Sequence, residues 1–202
     1  MLKIAIATNK GGSGKTTAAI NLAVAAGDGA LIVDLDPQAS AVVWGEQRDG
    51  EDPGVLGIQG YQLEKVLNSA EDNGAEFVFI DTAPHSETTA LAACRNADLV
   101  LCPCRPSLAD IRALTHTVDL VNLAKAQGAV VLNAVPTAGL KIDAQNALQS
   151  IGLPLCPVSI GQRVAFNHSF TAGQGVTEYE PSGKAAAEIS QLWRWVLKEL
   201  NS

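Results

Sequence analysis

The sequence predicts an α/β fold, a mostly parallel, twisted sheet with helices on both faces, and three observations predict it. Short apolar runs alternate with helical segments along nearly all of the 202 residues, the pattern of a parallel sheet built from crossover units. A glycine-rich turn, Lys10-Gly11-Gly12-Ser13-Gly14-Lys15-Thr16-Thr17, lies between the first apolar run and an alanine-rich helical stretch. Two later apolar runs end in aspartate, at Asp34 and Asp81, and in open parallel sheets ligands lie outside the carboxyl ends of the strands. One domain over residues 1–202 is expected, long enough to bury a substantial core.

Taken in order, Leu2 to Ala7 reads as a buried strand and Ala18 to Ala26 as a helix. Ala30 to Val33 is a strand and Ala39 to Gln47 a short helix. Residues 48–60, rich in Gly, Asp and Glu, form a loop with a brief strand at Val55 to Ile58. Gln62 to Asn73 is helical, with Leu63, Val66, Leu67 and Ala70 on one face. Phe77 to Ile80 and Leu99 to Cys102 are strands, and no element is assigned between Pro84 and Leu99. Leu108 to Ala126 is a long helix, Ala129 to Val135 a strand, Asp143 to Ser150 a helix and Leu155 to Ile160 a last strand. Gly161 to Pro181 is expected to hold a helix followed by a loop. From Ser182, a candidate cap, Ile189, Leu192, Trp193, Val196, Leu197 and Leu200 follow helical spacing.

Apolar residues at 47% and charged residues at 17% exclude a disordered chain. No apolar run approaches the ~18–20 residues that span a bilayer, and no signal peptide precedes the first strand. The four cysteines form no spaced framework, so reduced thiols and a cytoplasmic setting are expected. Through Leu140 the chain has 9 Lys+Arg against 16 Asp+Glu, and from Lys141 onward 5 against 5. Composition therefore does not signal nucleic-acid binding, which needs a local basic patch.

The glycine-rich turn is a ready anion site, because free N–H groups at a helix N-terminus and the helix dipole both favour phosphate. Gly12 and Gly14 let the backbone wrap phosphate oxygens, Lys15 reaches the β/γ-phosphates, and Thr16 offers its hydroxyl to Mg²⁺. Gly11, Ser13 and Thr17 complete the loop. Lys10 is a second lysine where one suffices, able to serve its own site or a partner's across a two-fold axis. Asp34 and Asp36, in Val33-Asp34-Leu35-Asp36-Pro37-Gln38, would face the same phosphates, and Asp81 could hold Mg²⁺ through a water. Asn133, at a strand end, could bond an adenine edge.

Lys-Gly-Gly-Ser-Gly-Lys-Thr-Thr resembles the deviant Walker A motif of the ParA/MinD family of ATPases, and the Asp-x-Asp-Pro-Gln and Asp81-Thr82-Ala83-Pro84 segments resemble its other motifs. The resemblance implies a single-domain P-loop NTPase, closest to small ParA-type partition ATPases without an N-terminal helix-turn-helix domain. It implies ATP and Mg²⁺ as cofactors and an ATP-dependent homodimer in which Lys10 contacts the neighbouring subunit's nucleotide. Lys10, Lys15 and Asp36 take catalytic roles, with Asp36 orienting the attacking water. Thr16, Asp34 and Asp81 serve the metal. Pro103, Arg105, Pro106 and Ser107 fall where relatives bracket the adenine, and Gln162, Arg163, Phe166 and Ser169 fall in a segment associated with the nucleotide and DNA faces. The function implied is slow ATP hydrolysis driving plasmid or chromosome partition. Non-specific DNA would be the track and a centromere-binding, ParB-like protein the activator, with the ATP form on the nucleoid; the DNA-contacting residues are not identifiable. The alternative is a ParA-like ATPase that positions a protein cargo such as a chemotaxis cluster or organelle. An iron–sulfur carrier using Cys102-Pro103-Cys104 and a dethiobiotin synthetase type of enzyme are further rivals. Membrane binding by the C-terminal helix is not expected, since Glu188 and Glu199 dilute its charge.

Overall fold

The computed structural model describes residues 1–201. Its six strands are all parallel: β1 (Leu2–Ile6), β2 (Ala30–Asp34), β3 (Gly54–Gly57), β4 (Phe77–Asp81), β5 (Leu99–Cys104) and β6 (Gly128–Leu132), in the order β3-β2-β4-β1-β5-β6. Strands buried on both faces need apolar residues at every position. That is why Ile4 to Ala7, Ile32, Val33 and Val78 to Ile80 are essentially sealed from solvent. β4 lies between β1 and β2, with Asp81 opposite both Ile6 and Asp34. Three carboxyl ends thereby meet at one edge of the sheet.

Helices cover both faces, α1 (Lys15–Ala26), α2 (Ser40–Glu46) and α9 (Lys184–Leu200) on one, and α3 (Leu63–Asp72), α4 (Glu87–Asn96), α5 (Leu108–Ala124) and α6 (Ala138–Leu148) on the other. The apolar stripe of α9 docks on the core: Ile189, Leu192 and Val196 are buried, and Trp193 stands edge-on to Phe77 at 5.0 Å between ring centroids. No helix among the described residues is long and apolar enough to cross a membrane.

Several expectations are corrected. Leu155 to Ile160 does not become a strand. Residues 154–162 touch β6 and the chain after it only through isolated bridges, Leu155 to Val130 and Gly161 to Val135. After Cys156 donates to Val130 the next donor, to Leu132, is Ile160, so residues 157–159 bulge out of the ladder. The unassigned stretch after Pro84 is α4, whose buried face is only Ala90, Ala93 and Cys94, too small to stand out as an apolar stripe. α1 starts at Lys15 rather than Ala18, and α6 starts five residues early because the Thr137 side chain caps it. Gly183, not Ser182, is the N-cap of α9. The segment before it holds two short helices, α7 (Ala165–Thr171) and α8 (Val176–Tyr179).

Candidate nucleotide-binding site

The loop between β1 and α1 turns on two glycines with positive φ, Gly12 at 71° and Gly14 at 96°. At Gly14 a side chain is also sterically forbidden, since a Cβ there would stand 2.0 Å from Asn133 Nδ2. Asn133 approaches so closely because its amide donates a 2.7 Å buried hydrogen bond to the Ser13 carbonyl, pinning the loop to the end of β6. Asn133, expected at an adenine edge, is here a clamp on the phosphate loop.

Beside the loop lies a cavity of about 360 Å³ lined by Gly11, Gly12, Gly14, Lys15, Thr16, Thr17, Asp36 and Arg105, together with Gln38, Ser40 and Pro84. A second cavity of about 300 Å³ adjoins it through Gly14, Thr17 and Arg105, and adds Asn133, Ala134, Gly161, Gln162, Arg163, Phe166 and Asn167. The first has the donors for a phosphate chain, and the second has the aromatic and amide groups for a base and sugar. Arg105, an exposed guanidinium 3.6 Å from where a Gly12 Cβ would stand, serves both. Ser169 lines neither cavity; its hydroxyl donates to the Phe166 carbonyl inside α7. Pro103 is not in the loop after β5. It lies within the strand opposite Val131, beyond the last residue that β1 pairs, so its missing N–H costs no ladder bond. Neither Pro103 nor Pro106 reaches a cavity, and Ser107 caps α5 by accepting from the Asp110 amide.

The carboxylates divide in role. Asp34 is buried and accepts from the amides of Asp36 and Ala41 at 2.9 Å and of Val42 at 3.4 Å. It thus builds the turn that carries Asp36 into the phosphate cavity. Burial pushes its pKa up, against those amide bonds. Asp36 accepts from the Gln38 amide at 3.0 Å. Asp81 is fully buried; one oxygen accepts a 2.6 Å bond from the Thr16 hydroxyl and the other has no partner. Burial above all raises the Asp81 pKa to about 7, with Asp34 and Asp36 adding and Thr16 and Lys15 opposing. An orphaned carboxylate oxygen beside a hydroxyl fits Mg²⁺, which needs only one or two protein carboxylates when phosphates and waters complete its shell. No cluster of three or more His, Cys, Asp or Glu ligands exists among the described residues.

The two lysines also divide. Lys15 is buried, with Nζ 3.3 Å from the Lys10 carbonyl, and burial lowers its pKa while Asp81 and Asp36 hold it up. Lys10 is folded back on its own chain, its ammonium 2.9 Å from Asp110 at the start of α5. No local pattern announces that pair, which joins residues 100 positions apart in the chain. Cys102 and Cys104 lie inside β5; burial pushes the Cys104 thiol up to about 12 and Cys102 higher still, which leaves them as poor metal ligands.

Residues 4–176 match the family model CbiA, the CobQ/CobB/MinD/ParA nucleotide binding domain. The chain belongs to this family. It is 33% identical to the maintenance of carboxysome distribution protein A of Gloeobacter kilaueensis, over 98% of this chain and 93% of that protein. It is 28% identical to the protein of the same name from Halothiobacillus neapolitanus, over 96% and 95%. An ATP complex of a Cyanothece McdA variant superposes with a TM-score of 0.74 at 19% identity, covering 100% of this chain and 96% of that one. That last likeness is one of fold, and it carries the P-loop NTPase architecture expected from the phosphate loop.

Proposed function

We propose that this chain is an ATP-dependent, dimerising ATPase whose nucleotide switch distributes a protein cargo in the cell. The observation that carries the cargo reading is the near full-length similarity to two carboxysome distribution proteins. It favours the alternative drawn from the motifs over plasmid or chromosome partition.

In this reading ATP lies across the two joined cavities, with its phosphates on the Gly11–Thr17 loop and its base against the Asn133, Gln162 and Phe166 side. Mg²⁺ would be held by the Thr16 hydroxyl and Asp81, and would neutralise phosphate charge. Lys15 binds the β/γ-phosphates. Asp36, held at the cavity wall by the Asp34 turn, positions the attacking water. Lys10 leaves Asp110 when ATP binds and reaches the partner subunit's phosphates. A cargo-bound adaptor stimulates hydrolysis and resets the dimer, and DNA serves as the track.

The test is deletion of the gene in its source cell with two parallel measurements, the spacing of fluorescently tagged cargo foci and the loss rate of resident plasmids. Clustered foci with unchanged plasmid retention are expected. Even spacing with plasmid loss would return the protein to DNA partition.

A further inference from the structure

β3 is an edge strand with an open outer side. In a parallel ladder the residues that bond the neighbour alternate with residues that face away. Ile58 donates to the Asp34 carbonyl and so faces β2, as do Leu56 and Gly54. Val55 and Gly57 therefore turn their N–H and C=O groups outward, where no backbone partner meets them among the described residues. One sheet face here is closed, because Val55 packs on Gly45 and Gly57 on Val42 of α2. The other face is open. Between β2, β3 and α3 lies a cavity of about 360 Å³ walled by Leu31, Leu56, Val66 and Ala70, far from the phosphate loop in the fold, with Leu56 46% exposed at its rim.

The chain that leads into this edge is acidic. Glu46, Asp49, Glu51 and Asp52 are all exposed, none forms an ion pair among the described residues, and Asp52 lines the cavity. The basic residue among them, Arg48, holds Glu178 in a two-pronged pair at 2.6 and 2.8 Å and donates through Nε to the Asp52 carbonyl, so it offsets part of this charge and leaves the flank net acidic. Pairing of two copies through β3 about a two-fold axis would run the edges antiparallel and set each acidic flank beside residues 58–62 of the other copy. Those residues include no lysine or arginine, so a second copy offers these carboxylates no cation.

We propose that the β3 edge is a docking site for an extended segment of a protein partner that adds a strand beside it and alternates basic with apolar residues. Its main chain would bond Val55 and Gly57, its apolar side chains would enter the cavity over Leu56, and its cations would meet the acidic flank. Strand addition takes affinity from main-chain bonds and specificity from alternate side chains. The inference does not depend on which cargo the ATPase serves.

The probe is an acetylated heptapeptide alternating Lys or Arg with Val or Leu, titrated into the full-length protein by fluorescence anisotropy. Saturable binding is expected, at least about tenfold weaker for the Glu-substituted peptide and weaker in high salt, because exposed charges are screened. N-methylating alternate amides of the peptide in one phase should abolish binding, and in the other phase spare it, because a strand bonds an edge through every second residue. Amide exchange should slow at Val55 and Gly57. The exposed double change Glu51→Lys, Asp52→Lys should invert the preference between the two peptides without altering nucleotide binding. Equal binding of both peptides, insensitivity to the phase of methylation, protection elsewhere in the chain, or protection at 55–57 that appears with protein concentration alone would overturn the proposal.

Discussion

Replacing Gly14 by alanine should destabilise the protein through two separable effects, and a double-mutant cycle can read them apart. At φ 96° an alanine is strained, which costs about 1–2 kcal/mol. Its Cβ would also stand 2.0 Å from Asn133 Nδ2, so Asn133 must swing away and break its 2.7 Å bond to the Ser13 carbonyl. Leaving that buried carbonyl unpaired costs about 1–3 kcal/mol. The sum for Gly14→Ala is about 2–5 kcal/mol. Asn133→Ala loses the same bond without the strain, about 1–3 kcal/mol. The double variant loses the bond only once, so it should fall short of the sum of the singles by about 1–3 kcal/mol. Urea unfolding of the nucleotide-free proteins measures all four corners. Additivity within about 0.5 kcal/mol would show that the two residues do not act on one another and that the clamp is wrongly assigned.

Lys15→Ala should abolish ATP binding in calorimetry, because its buried ammonium is aimed at the phosphate cavity; unchanged affinity contradicts that role. Lys10→Ala should bind ATP yet stay monomeric in light scattering, whereas Asp110→Asn should dimerise at lower ATP, since it releases the 2.9 Å tether on Lys10; normal dimers from both would remove the proposed exchange of partners. Asp36→Ala should accumulate an ATP-bound dimer with turnover down by about 10²-fold or more, the scale of a lost water-positioning group, and wild-type phosphate release would end that assignment. The Arg48–Glu178 pair is mostly shielded on one side only, so Arg48→Met should cost about 1 kcal/mol at neutral pH. Arg48 holds the Glu178 pKa below its ordinary value. A depressed carboxylate gives stability that is present above about pH 4.5 and lost as pH falls through the folded pKa. Stability should therefore fall more steeply below pH 4.5 in the wild type than in Arg48→Met; parallel curves would exclude the coupling.

The local sequence determined the strands and the phosphate loop, because both are written in adjacent residues. Short unbroken apolar runs bounded by turn residues fit doubly covered strands, and glycines at 12 and 14 take the positive φ that the loop requires. The same holds for the acids at strand ends: Asp34 and Asp81 stand opposite one another where the apolar runs of β2 and β4 stop, and Asp36 follows two residues on. The tertiary structure decided what those acids do. Asp34 and Asp36 are two residues apart and chemically identical, yet the first is consumed by three backbone amides while the second stays at the cavity wall. Only the insertion of β4 between β1 and β2 puts Thr16 on Asp81. Asn133 on Ser13 and Asp110 on Lys10 likewise join residues about a hundred positions apart, and no periodicity or motif encodes a contact of that range. α4 leaves no periodic signal because small residues bury a face without forming an apolar stripe, and the expected strand after α6 does not form because residues 157–159 bulge between the bonds that Cys156 and Ile160 donate to β6. Chemistry resided in the string of residues, and assignment of that chemistry to particular atoms waited for the distances between them.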